Sequence, residues 1–463
     1  MRRLAAWWLA LFAVYVATLG IPAFAASDHG GDEPHYLLTA ASIAGDGDVD
    51  LANQYAARTY RAFYPYPLDP HGRLTGGRRH EPHGVGFPLL IAPAYALGGA
   101  TLVEIQMAAL AALAFVLAMA LARRLVPEPW ATAGPLVVAL SPPALAYSTA
   151  VYPELTAGAF LAGAALLALH VRERPRMVTA LGAGLLLGVL PWLGTKYALP
   201  GAVVAFAVLR WLWRRGRRTA GILAAEAMLM SGVVYVTVND RLFGGITPYA
   251  ADLPGQSATD ASFPGGYLDR AHRLVGLWLD REYGMLRWAP FLALAGFAVW
   301  LLWRSRRDRV ARALAGQRDV EAAAMLLAGV LGAQVVVAAF LSPTMFGFWF
   351  PGRHLVAALP AAGALAAWGL RRTPRAGAVL GALTLVASGW LYLELRLGDG
   401  GWVAPSSTAP WGPVEWLLPL FGVGSAWADV VMALAVTGVA ALLVLEWRQW
   451  RQTAAMSREA YSA

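Results

Sequence analysis

The sequence predicts an all-α fold, a polytopic transmembrane helical bundle of about 12 spans with juxtamembrane helices in a long first outer loop. Three observations carry that prediction. First, 58% of the residues are hydrophobic and only 14% charged, whereas a water-facing domain carries roughly 25% charged residues. Second, apolar runs of about 20 residues, the length that crosses a ~30 Å hydrocarbon core, recur along the chain. Third, arginine clusters follow alternate runs (Arg123/Arg124, Arg172/Arg174/Arg176, Arg214/Arg215/Arg217/Arg218, Arg371/Arg372/Arg375), the pattern of cytoplasmic loops. The net charge of +9 therefore reads as loop arginine and not as a nucleic-acid footprint. The absence of cysteine excludes disulfides and thiolate metal sites.

Taken in order, the apolar runs are 4–26, 101–122, 130–148, 154–171, 177–194, 197–213, 219–238, 288–303, 322–341, 355–370, 376–394 and 425–447. The first, between Met1-Arg2-Arg3 and Ala23-Phe24-Ala25, has the outline of a secretory signal. Its apolar part is too long for that role and many spans follow, so an uncleaved first helix is expected. With Met1 inside, most of the 37 Lys and Arg fall on the inner side and most of the 28 acids on the outer. Both termini are then cytoplasmic, in a bacterial plasma membrane suggested by the Ala/Gly/Arg/Trp-rich composition. The outer face receives segments 27–100, 239–287, 342–354 and 395–424. Within 27–100, residues 34–45 have helical spacing after two acids and a proline, as helix starts prefer. Residues 86–98 form an apolar stretch too short to span, ending at Gly98-Gly99, and suit an interfacial or re-entrant helix. A single integral domain is expected, with no soluble terminal domain and no internal repeat.

The outer segments hold the residues able to do chemistry. Asp32 and Glu33 either cap the helix at Pro34 through its free N–H groups or supply a general base to an attacking hydroxyl. The two roles are compatible. In His80-Glu81-Pro82-His83, two histidines flank a carboxylate, yet Pro82 prevents the regular helical pair of zinc proteases. Metal ligation, phosphate contact and packing against the acids all stay open there. Glu154 opens a span after Tyr152-Pro153, as a cap or as a substrate contact. Lys196, the one lysine, sits between two apolar runs, where it either snorkels to headgroups or offers a point charge to a phosphate. Arg287 and the pair Arg353-His354 lie at span ends predicted on the same face.

Five segments in this order resemble the GT-C glycosyltransferases, in particular a bacterial phospholipid-carrier-dependent subgroup. They are Gly31-Asp32-Glu33-Pro34-His35-Tyr36, His83-Gly84-Val85-Gly86-Phe87-Pro88, Tyr152-Pro153-Glu154, Asp280-Arg281-Glu282-Tyr283-Gly284 and Pro351-Gly352-Arg353-His354. Protein O-mannosyltransferases and the aminoarabinose transferase of lipid A belong to that superfamily. The resemblance implies a polyprenyl-phosphate-linked sugar donor, membrane lipids as surroundings, and an envelope glycan, lipid or protein as acceptor, with no nucleic acid. It implies Asp32 as catalytic base with Glu33 orienting it or the acceptor, and Lys196, Arg353 and Arg287 on the donor phosphate. His35, Tyr36, His80, His83, Tyr152, Glu154 and His354 are the remaining substrate-binding candidates. No cofactor is required by the resemblance, and a divalent metal is left undecided. The sequence shows no counterpart of the C-terminal periplasmic domain of larger members, so acceptor recognition is expected from the outer loops. The competing reading is a transporter or flippase of lipid-linked substrates, which calls for ionisable groups in span centres, where Glu226 is the main candidate.

Overall fold

The computed structural model describes residues 2–24, 26–251, 266–305, 315–342, 344–347, 349–398, 400–403, 412–422 and 424–462. Ser257, expected to face solvent in the second outer segment, lies outside the described residues. Backbone groups in hydrocarbon must bond within their own segment, so apolar runs of this length fold as helices. The helices are α1 (Arg2–Val16), α2 (Glu33–Gly45), α3 (Ala52–Ala57), α4 (Gly86–Ala122), α5 (Trp130–Ala139), α6 (Pro142–Thr149), α7 (Pro153–Glu173), α8 (Met177–Leu193) and α9 (Ala198–Arg214). They continue with α10 (Arg218–Phe243), α11 (Gly266–Asp269), α12 (Arg273–Leu279), α13 (Met285–Trp288), α14 (Ala293–Ser305), α15 (Ala315–Val336), α16 (Leu359–Arg372), α17 (Pro374–Leu397) and α18 (Ala426–Ser462). Among the described residues the only strands are β1 (Leu74–Thr75) and β2 (Arg78–Arg79), a small antiparallel hairpin pairing Leu74 with Arg79.

Every predicted span contains helix, and among the described residues six helices are long and apolar enough to cross a membrane: α4, α7, α10, α15 with the π turn after it, α17 and α18. The chain is a polytopic helical membrane protein. Several boundaries differ from expectation. Helix α1 stops at Val16, because Thr18 Oγ1 donates to the Tyr15 carbonyl and Gly20, at φ +73°, turns the chain before Pro22. The expected span 130–148 is two helices, broken at Leu140-Ser141 ahead of Pro142-Pro143. The short apolar stretch 86–98 and the span that follows form one helix, α4, interrupted at Gly98 and Gly99. Gly99 has φ +63° and ψ −156°, a conformation essentially reserved for glycine.

Helices α4, α7 and α16 make the centre of the bundle, with α8 and α10 stacked outside α7 and α5 and α14 on α16. Helix α16 is buried from Leu359 to Leu370. Small residues let it approach its neighbours: a Cβ on Gly134 would lie 2.5 Å from the Ala367 Cα. By contrast α18 exposes Leu434, Val436, Val439 and Leu442, an apolar surface that lipid covers in a membrane helix. Helix α2 lies against α4, and the first turns after Arg353 lie against α7. Those two contacts bring the ends of the chain's polar motifs together.

Candidate active site

Pro34 in its first turn and Gly31 at φ +56° start α2, leaving Asp32 at the N-cap position. The expected cap is absent: neither Asp32 nor Glu33 bonds the free N–H groups of α2 through its side chain. Glu33, buried, turns back, and its Oε2 accepts from Gly30 N at 2.8 Å while Oε1 accepts from Val151 N at 2.7 Å. It ties the start of α2 to the loop before α7. Burial raises the Glu33 pKa, and the His29 charge and the two amide bonds offset part of that rise.

Asp32 instead pairs with Arg353, whose Nη2 donates to Oδ2 at 2.6 Å. The Arg353 Nε donates to Glu154 Oε1 at 2.8 Å, and Lys196 Nζ donates to that same oxygen at 2.7 Å. Two acids and two bases from four segments, 32 to 353 in sequence, thus form one chain of ion pairs. Glu154 is placed by the first turn of α7, Lys196 by the 3₁₀ turn Thr195–Tyr197 between α8 and α9, and Arg353 by the 3₁₀ turns Arg353–Ala358 before α16. Tyr152 packs this assembly. Its ring lies 4.1 Å under the Arg353 guanidinium, its hydroxyl donates to Gly30 O at 2.9 Å, and it accepts from Asp32 N at 3.3 Å. Trp349 stacks on the same guanidinium at 4.9 Å. Burial pushes the Asp32 carboxyl up, but the Arg353 charge and its hydrogen bond outweigh it and hold it well below the usual carboxylate range.

A cavity of about 760 Å³ opens beside this chain. Its lining includes the polar side chains Asp32, Tyr36, Lys196, Arg353 and His354 and the apolar ones Leu193, Leu199, Ala202, Val337 and Leu341. Leu199 and Leu341, 41% and 52% exposed, mark an open apolar rim. Burial, with the charges of Lys196 and Arg353, pushes the His354 pKa down to about 3, so that ring is neutral at pH 7. Glu154 Oε2 is buried with no hydrogen-bond partner among the described residues. A second cavity of about 330 Å³ is lined by His29, Glu33, Glu104, Tyr147, Tyr152 and Trp349. Trp349 borders both.

Not every predicted site residue arrives here. Arg287 pairs with Glu415 at 3.0 Å and stacks on Trp288, and it does not line the large cavity. Its neighbourhood stitches loops: Asp280 Oδ1 accepts from the amides of Glu282 and Tyr283, and Oδ2 from Phe421 N at 2.8 Å. His80 bonds the Val49 carbonyl through Nδ1 at 2.9 Å and edges onto Phe243. The partner of His83 is therefore not His80. It is His71, whose Nδ1 lies 3.0 Å from His83 Nε2. With His35 and Glu81 they form a group whose potential ligand atoms all lie within 4.8 Å of one another. His71 had no flanking motif to signal it; the β1–β2 hairpin returns the chain so that residues 71 and 83 meet. Sequence reasoning also missed Trp349 and the contact of His29 Nε2 with Glu104 at 3.1 Å, a charge contact and not an aligned hydrogen bond.

Comparison with known proteins gives little to add. No family model matches the chain, and no curated protein does. The fold is similar to the crystal structure of ArnT from Cupriavidus metallidurans bound to undecaprenyl phosphate, at 16% identity and a TM-score of 0.48, covering 85% of this chain and 73% of that one. The apo state of that ArnT is similar at 17% identity, with the same TM-score and coverage. At these values the reading of the site rests on this chain's own residues.

Proposed function

We propose that the protein is an inverting glycosyltransferase that takes a sugar from a polyprenyl-phosphate carrier and passes it to an acceptor hydroxyl at the outer face of a bacterial plasma membrane. One observation carries the reading: Asp32 lines one cavity together with the cations Lys196 and Arg353 and with aliphatic side chains, of which Leu199 and Leu341 are exposed. An amphiphile with a phosphate head and an isoprenoid tail matches that combination of linings. Lys196 and Arg353 face the phosphate, and Leu199, Val337 and Leu341 face the tail. The order of motifs that resembles GT-C enzymes supports the same assignment.

In the reaction the acceptor oxygen forms a bond to the anomeric carbon as the bond from that carbon to the phosphate oxygen breaks. The bonding electrons leave with the phosphate, and the acceptor proton passes to Asp32. Charge grows on the phosphate in the transition state, so fixed cations stabilise it more than they stabilise the ground state. Glu154 holds Lys196 and Arg353 in place through one oxygen. Arg353 keeps Asp32 ionised but weakly basic; a donor phosphate competing for the same guanidinium frees the carboxylate to accept the proton. Glu33 is a positioning residue. Glu226, exposed on α10 and not a lining residue, gives the transporter reading no support.

Asp32→Asn keeps the size of the side chain and leaves Arg353 its bond to Glu154. Transfer from polyprenyl-phosphate-linked sugars, followed as released polyprenyl phosphate, is expected to fall about 10²–10⁴-fold in this variant with unchanged elution in detergent. Transfer at the unaltered rate would remove Asp32 as the base.

A further inference from the structure

We infer that His35, His71, His83 and Glu81 form a binding site for one divalent transition-metal ion of the zinc type, beside Asp32. The inference does not depend on the proposed sugar transfer. Three imidazoles and one carboxylate are a donor set that suits zinc and its neighbours, and it is poor for magnesium or calcium, which take oxygen ligands. Each of the four residues offers one ligand atom, and these atoms lie within 4.8 Å of one another. Around tetrahedral zinc with bonds of about 2.0–2.1 Å, ligand atoms sit about 3.4 Å apart. The closest observed separations straddle that value: 3.0 Å between His71 Nδ1 and His83 Nε2, and 3.5 Å between His35 Nδ1 and Glu81 Oε2. Small rotations of the rings close the remainder.

The surroundings support ligation. Tyr55 donates its hydroxyl to Glu81 Oε1 at 2.5 Å, which orients that carboxylate and leaves Oε2 to ligate. A ligating carboxylate is itself held by such a hydrogen bond in metal sites. The ring centroids of His35 and His71 lie 3.9 Å apart, and His35 and Glu81 are buried. His35 belongs to α2, one turn beyond Asp32, whereas the other three come from the loop that carries the hairpin. A bound ion therefore clamps that loop onto the helix that carries Asp32. His71 and His83 also line the large cavity with Asp32. The ion is a positioning element for that wall.

The test uses the full chain purified in detergent, stripped with a chelator and then given Zn²⁺ or Co²⁺ alone. About one equivalent of Zn²⁺ per chain is expected by elemental mass spectrometry. The Co²⁺ form of the unaltered protein is expected to show the intense visible d–d absorption of a tetrahedral site, which keeps the test independent of variant folding. His71→Ala/His83→Ala should lose both signals, His80→Ala should keep both, and Tyr55→Phe should weaken Zn²⁺ binding about 10–100-fold. Metal at buffer level in the unaltered protein, or equal binding by the double variant, would overturn the site. Because the readout is metal content, failure here leaves the sugar-transfer reading untouched.

Discussion

A single guanidinium decides the state of the site. Arg353 serves Asp32 through Nη2 and Glu154 through Nε, while the Tyr152 and Trp349 rings both pack against it. A planar fork is needed for that, and an ammonium cannot supply it. Arg353→Lys is therefore expected to keep the charge but lose one of the two bonds, and to lower transfer at least tenfold in kinetic assays. Arg353→Ala leaves the buried Glu154 and the part-buried Asp32 short of a partner and is expected to cost about 3–5 kcal/mol of stability, read as a lower melting temperature. His29 behaves differently. Burial alone would lower its pKa, but its contact with Glu104 and the Glu33 charge outweigh burial and raise it to about 9. The unfolded value is about 6.5, so the contribution of His29 is complete below that pH and is lost as pH rises through about 9. Melting temperature in detergent should fall over that interval, and His29→Gln should flatten the fall. At this scale the sequence was partly readable. Asp32, Glu154, Lys196 and Arg353 were marked by type and position, but their mutual pairing depends on contacts across as many as 321 residues, which no local spacing records.

Helix starts and breaks place those residues. Pro34 and Pro153 each sit in a first helical turn, where the missing N–H costs nothing, and so these starts were legible; Pro142 also opens a helix, inside what the sequence read as one span. The fate of the acids was not, because a cap position predicts a bond to the free N–H groups and tertiary partners took the carboxylates instead. In α4 the break at Gly98-Gly99 lets the part beginning at Gly86, which carries the Phe87 packed on Tyr36, depart from the direction of the membrane-crossing part. Gly99→Ala forces an alanine into φ +63° and should destabilise the protein by about 1–3 kcal/mol, measured by thermal unfolding. The Asp280–Gly284 motif shows the opposite lesson. Its order in sequence suggested a site, and its bonds to Pro419 and Phe421 make it a fastening between two loops.

Across the whole molecule, lipid wrote the clearest message. A bilayer demands apolar helical length, so all the expected spans contain helix even where they break early. The side of the membrane is inferred from arginine placement and is open to direct measurement. Thr75 is exposed in the hairpin, and the chain has no cysteine. A single cysteine at Thr75 is expected to react with an impermeant thiol reagent applied to intact cells from outside, and labelling only after lysis would invert the topology.

Lys196 gives one more consequence. It is the one lysine, its side chain is 20% exposed, and its amine is held by Glu154 at 2.7 Å. Apart from the chain's own amino terminus, every amine-directed reagent has this one address. Acylation of that nitrogen therefore works as a built-in reporter: slow while Glu154 holds it, and slower still when an anionic amphiphile fills the cavity.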